Sequence, residues 1–274
     1  MKEADLIEID LRRVVRDKLP QKSRYIPGFV LGWLERVICQ RQMNEMLQKC
    51  RGKRDAEFCR GVLEHLGVHY EVEGADNLPA DGRVIIVSNH PMGGLDGMML
   101  IDYFTRVYGQ GLKFIVNDLL MALEPLHGVF LPINKHGRQS RGAFQGIDEA
   151  MESDSPVIIF PAGLCSRKGK GGKICDLRWQ KMFVNKAIQH QRTVIPVFFK
   201  GRNSKFFYNF AKLRQLSGLK LNIEMIRLPK EMFCSASQSF SIRIGKPIDW
   251  ATLQGGSQAQ AQADKIKEMV YNLE

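Results

Sequence analysis

A chain of 274 residues with 44% apolar and 25% charged residues is long enough to bury a large core and too apolar to be disordered. Its formal charge of +11 calls for an anionic partner: nucleic acid, an anionic membrane surface, or an acidic or phosphorylated protein or substrate. The six cysteines (Cys39, Cys50, Cys59, Cys165, Cys175 and Cys234) form no Cys-x-x-Cys pair and no metal-finger spacing, which fits a reduced, cytosolic compartment.

The opening Met1-Lys2-Glu3-Ala4-Asp5 is acidic and lacks the apolar centre of a secretory signal. The longest apolar stretch near it, Phe29 to Leu34, is far short of the roughly 20 residues that a spanning helix needs. The expectation is a cytoplasmic protein, soluble or peripheral on the membrane. Residues 1–67 read as a helical segment. Leu6, Ile9, Leu11 and Val15 recur between charges, and Val30, Trp33, Leu34, Val37 and Ile38 follow at helical spacing. Arg36, Arg41, Lys49, Arg51, Lys53 and Arg54 surround that second stripe, so it fits either a helix lying in a membrane interface or one packed on the domain. The helical run from Glu57 to Leu66 meets Gly67, a candidate C-cap.

From residue 68 short β-type runs alternate with helical stretches. Strands are expected at His69–Val72, Val84–Val87, Phe114–Val116, Val129–Ile133, Val157–Phe160, Thr193–Phe198 and Phe240–Ile244. Helices are expected near Leu95–Val107, Arg141–Met151, Trp179–His190 and Lys205–Leu216. Alternation of this kind predicts an α/β fold with a mostly parallel central sheet flanked by helices. The expected organisation is an N-terminal helical segment over 1–67, a catalytic domain over 68–250, and a linker with a terminal helix over 251–274.

Sites in such sheets form at the carboxyl ends of strands. After Val84-Ile85-Ile86-Val87 comes Ser88-Asn89-His90-Pro91-Met92-Gly93-Gly94-Leu95-Asp96. Imidazole titrates near neutrality, and a carboxylate on its second nitrogen fixes the tautomer and stabilises the imidazolium. His90 and Asp96 are therefore a candidate general base with its orienting carboxylate. A strand-end histidine beside a capping aspartate is the bland alternative. Pro161-Ala162-Gly163 follows a second strand end, so the two loops can meet.

Other constellations carry less. His65 and His69 stand four apart, but Gly67 interrupts the helix a metal pair would need, and no metal is expected. Gly163 to Gly171 is not a Walker A loop: five residues separate Gly163 and Gly169, and Gly171 stands where the hydroxyl belongs. Ser166, Arg167, Lys168, Lys170 and Lys173 in that loop still suit an anion or a solvated basic turn. Cys165 or Ser166 could pair with His90 as a nucleophile, which would make a lipid hydrolase or thioesterase; Cys165 equally suits the core. Phe206-Phe207-Tyr208 and Phe210 among Lys205, Lys212 and Arg214 read as a core stripe, a lipid surface or a nucleic-acid surface. A non-catalytic basic membrane-binding protein remains the third class.

Taken in order, four blocks resemble the glycerolipid (lysophospholipid) acyltransferase superfamily, marked by a His-x4-Asp motif. They are Asn89-His90 through Asp96, His127 through Asn134, Ile159-Phe160-Pro161-Ala162-Gly163-Leu164-Cys165-Ser166, and Val194-Ile195-Pro196-Val197. The resemblance covers roughly residues 70–250. Three departures stand out. Five residues, not four, separate His90 from Asp96, Ala162 replaces the usual glutamate, and Asn134 with Lys135 replaces the arginine that closes the second block. With Gly201-Arg202-Asn203-Ser204 after the fourth block, they are similar to the hemolysin-like branch, which includes O-acyltransferases that make ornithine and related amino-acid lipids.

The resemblance implies that His90, oriented by Asp96, deprotonates an acceptor hydroxyl that attacks an acyl thioester. It implies acyl carrier protein or coenzyme A as donor, no cofactor beyond that co-substrate, a membrane lipid acceptor, an anionic membrane surface as partner and no nucleic acid. Asn89, Gly93, Gly94, Asn134, Lys135, Phe160, Pro161, Gly163, Ser166, Arg167, Arg202 and Asn203 are the expected substrate-binding residues. Backbone N–H groups near Gly163 or Gly93 are expected to meet the oxyanion, and Gly93-Gly94 to absorb the extra residue. The neutral Asn134 and Ala162 imply an acceptor without a glycerol phosphate, such as a monoacylated amino-acid lipid. Lys135, Arg138 and Arg141 are near enough in sequence to supply the missing charge.

Overall fold

The computed structural model describes residues 8–18, 20–21, 23–133, 141–219 and 221–274. In chain order it runs α1 (Leu11–Lys18), α2 (Gly28–Val37), α3 (Gln40–Lys49), α4 (Asp55–Leu66), β1 (His69–Glu73), β2 (Val84–Ser88) and α5 (Leu95–Tyr108). Next come β3 (Lys113–Asn117), β4 (Phe130–Ile133), α6 (Arg141–Glu152), β5 (Val157–Ile159), the short β6 (Arg167–Lys168) and β7 (Ile174–Cys175), and α7 (Met182–Gln189). The chain closes with β8 (Thr193–Lys200), α8 (Lys205–Leu216), α9 (Leu228–Cys234), β9 (Ser239–Ile244) and α10 (Ala259–Tyr271).

The seven-stranded sheet has the order β1-β9-β8-β2-β5-β3-β4. From β8 to β4 all neighbours are parallel, whereas β9 runs antiparallel to β8 and parallel to β1. The mostly parallel α/β expectation therefore holds. β2 is central and wholly buried because its residues face two cores in alternation. Val84 and Ile86 join Phe58, Val62, Leu100 and Phe104 of α4 and α5 on one side. Ile85 and Val87 join Met151, Phe183, Val184 and Ile266 of α6, α7 and α10 on the other.

α4 lies before residue 67 and α10 after residue 251, yet each buries one face against the sheet domain. The C-cap expectation at Gly67 is met, since φ is +62° there. The helix expected from Trp179 begins instead at Met182, because the Trp179 indole turns inward to Asp176 at 2.9 Å. α2 buries no residue, and Phe29 and Trp33 are 78% and 56% exposed. The rest of the stripe, Val30, Leu34, Val37 and Ile38, is half-buried, so one side of the helix is packed and the other is open.

Candidate active site

Strand register aligns the candidate loops. Ser88 of β2 pairs with Val197 of β8, and Val87 pairs with Ile159 of β5. The loops after these three adjacent parallel strands therefore leave the sheet at the same end, its carboxyl end. The first carries His90, the second Phe160 to Ser166, the third Arg202 and Asn203.

His90 Nδ1 lies 3.0 Å from Asp96 Oδ2, so the five-residue spacer closes a direct contact. The loop turns back on Gly93, whose φ of +83° favours glycine. Gly94, expected to share that task, has φ −166°, extended backbone open to any residue. Asp96 stands in the first turn of α5, where the helix dipole favours an anion. It is fully buried, and its Oδ2 also accepts the Met92 N–H at 2.8 Å while Oδ1 accepts the Gly97 N–H at 2.9 Å. Burial alone would push this carboxyl up, but His90 and these two N–H groups outweigh it and hold Asp96 below the ordinary carboxylate range. With Nδ1 engaged, Nε2 is the nitrogen left to accept a proton, on a side chain 14% exposed.

The imidazole is fixed on further sides. Phe160 stacks on it with ring centroids 4.0 Å apart and planes 19° from parallel, and Phe114 meets Phe160 edge-on. The backbone is gripped at both ends: the His90 carbonyl accepts the Ser166 N–H at 2.7 Å, and the His90 N–H donates to Asp176 Oδ1 at 3.2 Å. Asp176 also accepts the Ser166 hydroxyl at 2.6 Å and the Trp179 indole N–H at 2.9 Å. Burial pushes its carboxyl up although three donors oppose it. Sequence reasoning missed Asp176. The only signal was a lone acid, Asp176, closing the cationic Arg167–Lys173 loop.

Several residues expected at the substrate belong instead to this scaffold. The Asn89 amide clamps β8, donating to the Phe199 carbonyl at 2.9 Å and accepting its N–H at 2.6 Å. Asn203 donates to the Pro91 carbonyl at 3.1 Å and so ties the third loop to the first. Ser166 serves Asp176 as described. Arg167 corrects the picture of a solvated basic loop. It is 4% exposed and pairs at 2.7 Å with Glu224, which Arg214 holds from the other side at 2.8 Å. The outer Lys173 remains in solvent. Gly163 does not offer a free oxyanion donor, since its N–H closes a turn on the Phe160 carbonyl at 2.9 Å. The Gly93 N–H donates only a long bond, 3.4 Å, to Asp96 Oδ2, and is the less firmly held of the two.

Pro161 is buried in the turn, while Gly94 and Arg202 are exposed beside the site. Asn134, Lys135 and Arg138 lie outside the described residues, and so does the Arg141 side chain. Cys165 is fully buried, and burial pushes its thiol up to about 11, the reverse of what a nucleophile needs. His65 lies in the last turn of α4 and His69 opens β1, separated by the Gly67 turn.

The family model described as an acyltransferase matches residues 13–274. The chain is 40% identical to a lyso-glycine lipid O-acyltransferase of Bacteroides thetaiotaomicron, with 100% of both chains covered. It is 39% identical to a lyso-glycine lipid O-acyltransferase of Phocaeicola vulgatus, covering 100% of this chain and 98% of that one. The crystal structure of the 1-acyl-sn-glycerophosphate acyltransferase PlsC from Thermotoga maritima aligns with a TM-score of 0.45 at 18% identity, over 96% of this chain and 98% of that one.

Proposed function

Because the chain belongs to the acyltransferase family and is an O-acyltransferase, we propose that it acylates the free hydroxyl of a monoacylated amino-acid lipid. The donor in this reading is a fatty acyl thioester on acyl carrier protein or coenzyme A. The observation that carries the reading is the 3.0 Å contact between His90 Nδ1 and buried Asp96, at the mouth of three aligned parallel strands. His90 Nε2 takes the hydroxyl proton as the alcohol oxygen attacks the thioester carbonyl, and Asp96 stabilises the imidazolium that forms. The Gly93 N–H is the candidate donor to the tetrahedral oxyanion. Collapse breaks the C–S bond, the thiolate leaves, and the imidazolium returns the proton to sulfur. The ester and the free thiol are the products, and the reaction uses no metal or cofactor beyond the thioester.

Two features support the amino-acid lipid. Both curated relatives are named for a lyso-glycine lipid, and the second loop carries the small buried Ala162 where a glutamate is usual. Among the described residues no helix is long and apolar enough to cross a membrane. In this reading the enzyme works as a peripheral protein on the cytoplasmic face, with Phe29 and Trp33 of α2 turned toward the lipid.

The test is transfer by purified protein to a lyso-glycine lipid and to lysophosphatidic acid, each with acyl carrier protein and coenzyme A donors. The lyso-glycine lipid is expected to be acylated, and His90→Ala is expected to lower turnover by at least about 10²–10⁴-fold with the fold intact. Near-wild-type turnover in His90→Ala would sink the mechanism. Efficient acylation of lysophosphatidic acid with none of the lyso-glycine lipid would overturn the acceptor.

A further inference from the structure

α8 has two apolar faces, and only one is covered. Phe207, Tyr208 and Ala211 pack inward around Cys165 and Leu228. On the opposite side Phe206, Phe210, Leu213 and Leu216 recur at helical spacing, and Leu213 and Leu216 are 65% and 76% exposed. The chain after the helix continues this face with Leu221, 70% exposed, and Ile226. A surface helix with one buried face normally turns polar groups outward, and grouped exposed apolar residues mark a partner.

Charge identifies that partner. From Lys200 to Lys230 the sequence holds eight Lys or Arg residues and one acid, Glu224. Glu224 is fully buried between Arg167 and Arg214, while Lys200, Arg202, Lys205, Lys212 and Lys230 are exposed, so the described residues of this segment present cations to solvent and no acid. Leucine and phenylalanine fringed by cations suit a layer whose surface is anionic and whose interior is hydrocarbon.

The patch also borders both the N-terminal helices and the catalytic loop. The Arg227 guanidinium lies 4.1 Å from the centre of the Phe206 ring; burial pushes up the Cys39 thiol just past α2, and the nearby Lys230 and Arg227 partly offset it. The next residue, Leu228, lies so close to Gly93 that a Cβ there would meet its methyls at 2.8 Å. Arg227 thus lies between the Cys39 turn that follows α2 and the Phe206 side of α8, with the His90 loop beside Leu228.

We propose that the outer face of α8 and the segment through Ile226 dock on an anionic lipid bilayer, seating the His90 loop at the membrane so that the acceptor enters from it. The proposal rests on the lipid-acceptor reading above and adds the surface that delivers that acceptor.

The test uses full-length protein, flotation with vesicles of phosphatidylcholine with and without phosphatidylglycerol, and the triple variant Leu213→Glu, Leu216→Glu, Leu221→Glu. All three side chains are exposed, so the variant is expected to melt like wild type. Wild type is expected to float with the phosphatidylglycerol vesicles, and the variant to bind them about tenfold or more weakly. Transfer to acceptor embedded in vesicles should fall in parallel. A short-chain lyso acceptor below its micelle concentration should be acylated by the variant at the wild-type rate. His90→Ala should bind vesicles as wild type does. Docking is therefore read independently of catalysis: loss of binding in the variant supports it even if no acceptor is ever acylated. Equal vesicle binding by variant and wild type overturns the proposal. So does a variant that keeps vesicle binding but loses capture of acyl carrier protein, which would assign the patch to the donor protein.

Discussion

Gly93 and Gly94 are adjacent, but only Gly93 has a conformation that a side chain disturbs, so alanine at the two positions should behave differently. At Gly93 the φ of +83° costs an L-residue about 1–2 kcal/mol. The new Cβ would stand 2.8 Å from both Leu228 methyls, and turning that side chain aside adds about 1 kcal/mol. The sum, about 2–3 kcal/mol, lowers the Tm of a chain this size by roughly 4–12 °C. If the loop relaxes instead, the Met92 and Gly93 N–H groups swing off Asp96, and the strain appears as lost turnover. At Gly94, φ is −166° and no atom lies within 4 Å of an added Cβ, so Gly94→Ala should stay within about 0.5 kcal/mol of wild type. Thermal melts and acyl-transfer rates on the same preparations decide the matter. A Gly93→Ala protein equal to wild type in both, or a Gly94→Ala protein harmed more than Gly93→Ala, refutes the account of how the long spacer closes.

Asp96→Asn should fold yet lose about 10²–10⁴-fold in turnover, because either amide orientation points an NH₂ group at the N–H of Met92 or Gly97; a loss below tenfold would contradict the orienting role. Asp96 is held below its ordinary value of 3.8, so its contribution to stability is present above that pH and fades as the pH falls further. Acid melts of wild type should therefore steepen there relative to Asp96→Asn, and identical profiles would count against the depressed carboxyl. Cys165→Ala, and wild type treated with iodoacetamide, should keep transferring acyl groups, since the thiol is buried and unactivated; abolished activity in Cys165→Ala would revive the hydrolase reading. Asp176→Ala strips the acceptor from the His90 N–H, the Ser166 hydroxyl and the Trp179 indole. At about 1–3 kcal/mol per orphaned buried donor, denaturant unfolding should register several kcal/mol, with turnover falling as His90 loosens; unchanged turnover would show that the grip on its backbone is irrelevant.

The strands were legible because a two-sided core leaves apolar runs that no surface segment needs, as in Val84 to Val87. β8 outran its expected end at Phe198 because Phe198 to Lys200 pair with β9 more than forty residues away, a contact no local pattern records. The catalytic pair was legible for a similar reason: His90, Gly93 and Asp96 lie within one loop, so their chemistry is local. Asp176 was not, since its role depends on a loop that begins 86 residues earlier. The net charge hid a different lesson. Arg167 and Arg192 count toward +11, yet Arg167 is locked to Glu224. Arg192 is fully buried and donates to the carbonyls of Val84, Met151 and Ser155, its guanidinium pushed down to about 10 by burial. Composition counts cations but not which of them face solvent.

The order in which a ribosome delivers this chain gives the last helix a further consequence. The Asp176 N–H donates to the Tyr271 hydroxyl at 2.8 Å, and Lys267 donates to the Asp176 carbonyl at 2.7 Å. The residue that steadies His90 is thus itself steadied from α10, whose Ala259, Ala263, Ile266 and Val270 close one core. A nascent chain that has emerged through β9 holds every block of the motif but not the brace beneath it. Acyl transfer should switch on only after Tyr271 clears the exit tunnel, so unfinished chains leave membrane lipids untouched.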